Sequence, residues 1–286
     1  MIKHLTIIGV GLMGSSLALA LRKAGHVERV TGFGRNQHNL ARGVELEVLD
    51  DYSLDLAQAL SGADMVLVAV PLGAMANLFT AMADKLAEHA IVTDVGSAKA
   101  SVVADARTGL GQHFSRFVPG HPIAGTEQSG VEAGFATLFE QRKVILTPLA
   151  ETESDALNQV QKMWQVCGAE VEVMDVQHHD TVLAATSHLP HMLAFSLVSH
   201  LSKMNDQDKI FDYAAGGFRD FTRIAASDPV MWRDICMANP EALLELIEGY
   251  QQELTLVSDA IRRGDREALQ ELFTDAKHTR DQLRNL

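Results

Sequence analysis

The chain has 286 residues, 47% of them hydrophobic, a mean hydropathy of +0.03 and a formal net charge of −13. Those values describe an ordinary soluble globular protein of one large or two modest domains, and the negative balance argues against nucleic acid and anionic membrane as partners. The two cysteines, Cys167 and Cys236, lie far apart with neither disulfide nor metal spacing, which points to a reducing cytoplasm.

The first predicted element is a strand over the apolar run Leu5-Thr6-Ile7-Ile8. It feeds the turn Gly9-Val10-Gly11-Leu12-Met13-Gly14, and a helix follows from Ser15 to Ala24, stopped by Gly25. Strand, glycine turn and helix in that order form a dinucleotide-binding pattern. Gly9 permits the tight turn, Gly11 lets backbone approach a pyrophosphate, and Gly14 lets helix pack closely on strand. The helix N-terminus offers free N–H groups and a positive dipole end to the phosphates. Lys3 and His4 before the uncharged stretch 5–21 imitate a secretory leader. The three glycines are poor for a leader's apolar region, and its removal would delete the first strand, so that reading is rejected. The stretch is also too broken and slightly too short for a membrane span.

Further strands are predicted at 29–33, 65–70, 91–95, 116–118, 144–147 and 171–174, with helical intervals such as 54–61, 73–86 and 154–166. This alternation predicts a parallel sheet with helices on both faces. After Asp175 the pattern changes to long helix-period segments at 180–202, 240–263 and 266–283, with no convincing strand. The expected architecture is therefore α/β: a Rossmann-type doubly wound sheet over residues 1–175, then an all-helical domain over 176–286. The apolar stripe Leu243, Leu246, Ile247, Tyr250, Leu254, Val257, Ile261 continues as Leu269, Leu272, Phe273, Ala276. It fits either a homodimer interface or packing of the helices on each other.

In an open parallel sheet, ligands bind outside the carboxyl ends of the strands. The segments there are Gly9 to Gly14, Val70-Pro71-Leu72, Asp94-Val95-Gly96-Ser97-Ala98-Lys99 and Gly120-His121-Pro122. Ser97, Lys99 and His121 are thus expected beside the cofactor by topology alone. The carboxylate that binds the ribose 2′-hydroxyl of NAD is expected about twenty residues past the third glycine. Gly34 stands there instead, followed by Arg35 and Asn36. Arg35 suits a 2′-phosphate, which favours NADP over NAD; the alternative is a solvated surface arginine with NAD bound without the carboxylate. His121 is the candidate acid–base group, because imidazole titrates near neutral pH. Beyond the boundary, His188 and His191 lie three apart without a third ligand or a nearby cysteine, so no metal is expected. Arg219 and Arg223 share a helix face, either to clamp a carboxylate or to make surface salt bridges. His178-His179-Asp180 reads as a helix start and carries no assigned chemistry.

The chain resembles prephenate and arogenate dehydrogenases. The matching segments are the glycine turn through Ser16, the 94–99 segment, and Gly120-His121-Pro122-Ile123-Ala124-Gly125-Thr126-Glu127-Gln128-Ser129-Gly130. Ser187-His188-Leu189-Pro190-His191 and Gly216-Gly217-Phe218-Arg219-Asp220-Phe221-Thr222-Arg223-Ile224-Ala225 follow, then Asp228-Pro229 and Met231-Trp232. The resemblance implies oxidative decarboxylation of a dianionic cyclohexadienol, with hydride passing to a nicotinamide. It implies that His121 accepts the ring hydroxyl proton, that Ser97 assists at that hydroxyl, and that Thr126 and Glu127 line the pocket mouth. It also implies that Ser187, His191 and Arg223 belong to the substrate site and that His188 lies near the nicotinamide. Gly9, Gly11, Leu12, Met13 and Gly14 carry over as cofactor positions; Val70, Pro71 and Arg35 join them on the topological argument above, and the missing acid at Gly34 departs from NAD-using members and supports NADP. A cation at the ring carboxylate would stabilise the ground state against loss of carbon dioxide, so Arg223 is expected on the side-chain carboxylate.

Prephenate is preferred to arogenate because a donor or cationic His191 suits the keto-acid end. No extra segment precedes the first strand or follows the last helix, so the fused mutase and regulatory domains of some relatives are expected to be absent. Two other readings are weaker. A β-hydroxyacid or imine reductase commonly places a lysine on the helical half, yet Lys203, Lys209 and Lys277 lie in no fitting context. A non-catalytic dinucleotide sensor needs a partner segment that the acidic chain does not offer.

Overall fold

The computed structural model describes residues 1–126, 128–205 and 207–283. It divides into two compact units, 1–240 and 241–286. Six parallel strands form the main sheet of the first unit: β1 (Ile2–Ile8), β2 (Val27–Phe33), β3 (Asp51–Ser53), β4 (Met65–Val68), β5 (Ile91–Asp94) and β6 (Phe117–Val118). Their order is β3-β2-β1-β4-β5-β6, the doubly wound dinucleotide-binding arrangement. β1 is buried at six of its seven positions because helices cover both faces of the sheet. On one face α1 (Leu12–Lys23) and α6 (Ser154–Val166) bury Leu17, Leu21, Val160 and Trp164 with Leu5 and Ile7. On the other face α4 (Met75–Met82) and α5 (Ala100–Gly109) bury Phe79 and Val102 with Ile8, Val66 and Phe117. The short helices α2 (Gln37–Glu45) and α3 (Leu56–Leu60) connect the strands at the β3 edge.

Register brings the strand ends into line. Ile8 pairs with Phe33 and with Val68, and Val68 pairs with Asp94. The residues that follow each strand therefore leave the sheet along one edge, on either side of the reversal between β1 and β4. Ligands bind at such reversals.

Two strands expected in this sheet, at 144–147 and 171–174, lie elsewhere, and residues 120–122, expected as a loop after the 116–118 strand, form a strand with them. β7 (Gly120–Pro122), β8 (Lys143–Leu146) and β9 (Glu170–Val173) form a separate three-stranded sheet, with β7 antiparallel to β8. Pro119 lies between β6 and β7; it has no N–H to continue the parallel ladder, and its carbonyl accepts the Thr147 N–H at 3.0 Å. His121 accordingly sits within a strand rather than in a free loop. β3 is an element that the sequence pattern did not signal, since Asp51-Tyr52-Ser53 carries no apolar run.

The rest of the first unit is helical: α7 (Val176–Leu183), a π-turn (Ala184–His188), α8 (Leu189–Leu201), α9 (Gln207–Asp212), α10 (Gly216–Thr222) and α11 (Pro229–Ala238). The run Val176–Leu201 is continuous over 26 residues and, by length and composition alone, apolar enough to cross a membrane. Its buried polar side chains, His179, Asp180 and His188, belong to the site described below. The second unit consists of α12 (Pro240–Arg263, which begins one residue inside the first unit) and α13 (Arg266–Gln282). Between them Gly264 adopts φ +67°, and Asp265 caps α13 by accepting the Ala268 N–H. Tyr250, Leu254, Ile261 and Phe273 of the apolar stripe remain exposed in the single chain.

Candidate active site

The glycine turn after β1 shows three different constraints. Gly9 adopts φ +93°, and a Cβ there would meet the Ala69 carbonyl oxygen at 2.3 Å. At Gly14 a Cβ would meet Ile7 Cγ2 at 2.7 Å, so only glycine lets α1 lie this close to β1. A Cβ on Gly11 would meet nothing within 4 Å. Space is therefore open at the position whose backbone faces a pyrophosphate in such turns. Gly11 is also the N-cap of α1 and supplies no side-chain acceptor, and the first turn holds no acid, so the positive helix end at Leu12 and Met13 is uncompensated. Asn39 Nδ2 donates to the Val10 carbonyl at 2.7 Å and steadies the turn. Val70 closes its other side, and Pro71 follows at the end of β4. Arg35 is exposed just past β2 and makes no ion pair among the described residues. These features fit a dinucleotide.

The second group of residues gathers at the ends of β5 and β7. Asp94 and Lys99 form an ion pair at 2.5 Å, and both side chains are fully buried. Next to it, His121 Nδ1 lies 2.9 Å from His179 Nε2, and His179 Nδ1 lies 2.8 Å from Asp180 Oδ1. Asp180 also accepts the backbone N–H groups of Lys99 and Ala100, each at 2.8 Å. Burial pushes its carboxyl up, but the bonds from His179, Ala100 and Lys99 outweigh that and hold it below the ordinary carboxylate value. An ionised carboxylate only accepts, so the protons of the whole chain follow from it. His179 carries its proton on Nδ1, toward Asp180. Its Nε2 accepts from His121 Nδ1–H, which leaves His121 Nε2 with a lone pair and no hydrogen-bond partner among the described residues. Burial first, then the neighbouring His179, Lys99 and His188, hold His121 well below its ordinary pKa. The result is a neutral imidazole with one basic nitrogen open. His179 and Asp180 were passed over in the sequence, where they read as a helix start; only their approach to His121, 58 residues away, reveals their part.

The third group lies along the helix from Val176 to Leu201. Pro190 has no N–H to give the carbonyl four residues before it, and the helix widens there into the π-turn, with the Leu189 N–H bonded to the Ala184 carbonyl. His188, at the end of that turn, is fully buried, and among the described residues neither ring nitrogen has a well-formed hydrogen bond. Burial pushes its pKa down to about 4, against the Asp180 carboxylate and the Ser97 backbone. Ser97 itself is half-buried beside the ion pair. His191 stacks on Trp232 with ring centroids 3.6 Å apart and donates Nδ1–H to the Ser187 carbonyl at 2.9 Å. Burial lowers its pKa, the Ser187 carbonyl opposes that, and the Arg223 charge adds to the lowering. His191 is thus neutral and presents a lone pair at Nε2, not the donor or cation expected from sequence. The Trp232 indole N–H is buried without a partner.

The fold thus brings together Ser97, His121 and His188, with His191, Ser187 and Arg223 further along the same helical surface. Thr126 lines a cavity of about 460 Å³ with Ile123, Phe135, Glu140 and Arg142. Glu127 falls outside the described residues.

Residues 17–173 match the nucleotide-binding domain of prephenate dehydrogenase, and residues 175–275 match its dimerization domain. The chain is 39% identical to a cyclohexadienyl dehydrogenase of Zymomonas mobilis, across 97% of this chain and 95% of that protein. It is 36% identical to prephenate dehydrogenase of Bacillus subtilis, across 96% and 74% of the two chains. Among solved structures, prephenate dehydrogenase from A. aeolicus in complex with hydroxyphenyl propionate and NAD+ superposes with a TM-score of 0.93 at 38% identity, over 99% of each chain. With its doubly wound sheet, its glycine turn and these matches over nearly the whole length, the chain belongs to the prephenate dehydrogenase family of nicotinamide-dependent oxidoreductases.

Proposed function

We propose that this protein oxidatively decarboxylates prephenate to 4-hydroxyphenylpyruvate in the cytoplasm, for tyrosine biosynthesis, with His121 as the base. The observation that carries this reading is the Asp180–His179–His121 chain, which ends in an unprotonated Nε2. A nicotinamide dinucleotide held at the Gly9–Gly14 turn supplies the hydride acceptor. His121 Nε2 takes the proton of the ring hydroxyl as hydride leaves the carbinol carbon. The ring carbon–carboxylate bond then breaks, its electron pair aromatises the ring, and carbon dioxide departs. His121 returns the proton to the phenolate oxygen, so the base emerges unchanged. Ser97 is assigned to the same hydroxyl, and the orphaned His188 to the nicotinamide side.

Arg223 is assigned to the side-chain carboxylate of the dianionic substrate, with His191 and Ser187 beside it, and Thr126 and Glu127 are assigned to the pocket mouth. A cation on the other carboxylate would oppose its loss. Arg35, with no carboxylate at Gly34, supports NADP as the preferred acceptor and NAD as the weaker one. The helical domain from residue 176 onward is assigned to substrate binding and to a homodimer through the exposed stripe on α12 and α13; light scattering should give twice the chain mass. A second reading, arogenate as substrate, is favoured by the His191 lone pair, which suits an ammonium better than a keto-acid.

The test is formation of reduced nicotinamide from prephenate or arogenate with NAD or NADP. Prephenate with NADP is expected to be fastest. A rate with arogenate alone would keep the mechanism and reverse the substrate. Silence in all four combinations, from folded protein that still binds dinucleotide, would overturn the proposal.

A further inference from the structure

Lysine and aspartate are almost never fully buried unless they are paired, and a buried pair is weak evidence of stability in itself. The Lys99–Asp94 pair therefore needs another explanation, and its hydrogen bonds supply one. Lys99 Nζ donates to the Gly120 carbonyl at 2.7 Å, while Asp94 Oδ1 accepts the Gly120 N–H at 3.1 Å. The pair thus grips both backbone polar groups of the residue that precedes His121. Asp94 Oδ2 also accepts the Gly96 N–H at 2.7 Å, which fixes the turn into Ser97. The fit is close at Gly120, where a Cβ would stand 3.0 Å from the Asp94 carbonyl oxygen. The Lys99 backbone N–H in turn binds Asp180 Oδ1, so one residue joins the ion pair to the far end of the histidine chain.

We propose that Lys99, clamped to Asp94, is a positioning residue for the reaction: with Asp94 it aims His121 through Gly120 and Ser97 through Gly96, and it sets a positive charge behind the His121 ring. The inference rests on the reading of His121 as the base. The groups that face the His121 ring are His179 from α7, His188 from the π-turn and Lys99 from the segment after β5; Asp94 and Asp180 stand one contact further away. Of these, Lys99 contributes a positive charge, which burial disfavours and the pairing with Asp94 supports.

The test uses the full-length protein and compares Lys99→Met, Lys99→Arg and the double variant Lys99→Met with Asp94→Asn. kcat, the pH profile of kcat/KM and dinucleotide Kd by fluorescence are measured for each. Lys99→Met should lower kcat about 100-fold, the order associated with a small misplacement of a reacting group. Its acidic limb should move to higher pH, because the charge that disfavours protonated His121 is gone. Lys99→Arg should also lose kcat yet keep the wild-type limb, and Kd should stay within about 3-fold throughout, since binding energy lies in the glycine turn. Should Lys99→Met fail to fold through its unpaired Asp94, the double variant removes both charges and should show the same loss of kcat with Kd retained. Wild-type kcat and limb in Lys99→Met, or wild-type kcat in the double variant, would overturn the inference. His121→Asn separates the two ideas. If it is inactive while Lys99→Met is normal, only this inference fails; if His121→Asn keeps wild-type kcat, the reading of the base fails and this one with it.

Discussion

His179 shows how a residue with no distinctive local sequence acquires a role. It follows His178 and precedes Asp180 at a helix start, and its side chain is fully buried between Asp180 and His121. Its function in the proposed reaction is to hold the proton away from His121 Nε2. His179→Asn should leave substrate KM within a few-fold and lower kcat on the order of 100-fold, the range for disrupted general-base catalysis, measured by steady-state kinetics. At the other end of the cofactor site, Arg35 is tested by Arg35→Ala. Loss of one charge-assisted contact of about 2 kcal/mol should raise KM for NADP about 30-fold and leave that for NAD unchanged. Equal changes with both cofactors would mean that Arg35 is a solvated surface group.

At the scale of elements, the π-turn is the feature with a mechanical cause and a functional position. Proline inside a helix removes a donor and crowds the preceding turn. Here the irregularity falls on residues 184–188 and sets the rotation of His188 relative to His179 and Asp180 on the preceding helix. Pro190→Ala restores the missing N–H. A regular helix should then form, with an equal or higher Tm by calorimetry, while kcat/KM falls at least about 10-fold as the histidines rotate out of register. A variant with raised Tm and full activity would show that the π-turn has no bearing on the site. The two sheets give a related lesson. Strand content was legible from β-rich apolar runs, but the transfer of β7, β8 and β9 to a second sheet hinged on Pro119, whose effect depends on which neighbour its missing N–H faces.

For the molecule as a whole, burial of neutral histidines should make stability depend on pH. His188 is fully buried with a pKa of about 4 against the ordinary 6.5. Between those values the unfolded chain binds more protons than the folded one, so stability rises with pH in that window and is lost as pH falls from about 6.5 toward 4. The full effect of this one group is on the order of 3 kcal/mol. His121, shifted in the same direction, adds to it. Urea midpoints at pH 7 and pH 4.5 check the prediction. The difference should shrink in His188→Gln; an unchanged difference would assign the acid sensitivity elsewhere.

Much of this protein was determined by its sequence alone. The alternation of strands and helices, the three glycines with their separate steric tasks, and the family resemblance all follow from local spacing, because turns, helix starts and close packing depend on residues near in the chain. Ser97, Lys99 and His121 could also be placed at one sheet edge, since parallel topology dictates where strands end. What only the tertiary structure decided are contacts between distant residues. The His121–His179 contact spans 58 residues, and the Lys99–Asp94 grip on Gly120 spans 21 or more. The tautomer of His191, which reversed the donor expected there, depends on a carbonyl presented by the widened helix. Proton positions are set by which acceptor a ring nitrogen meets, and that meeting is settled only when the chain has folded.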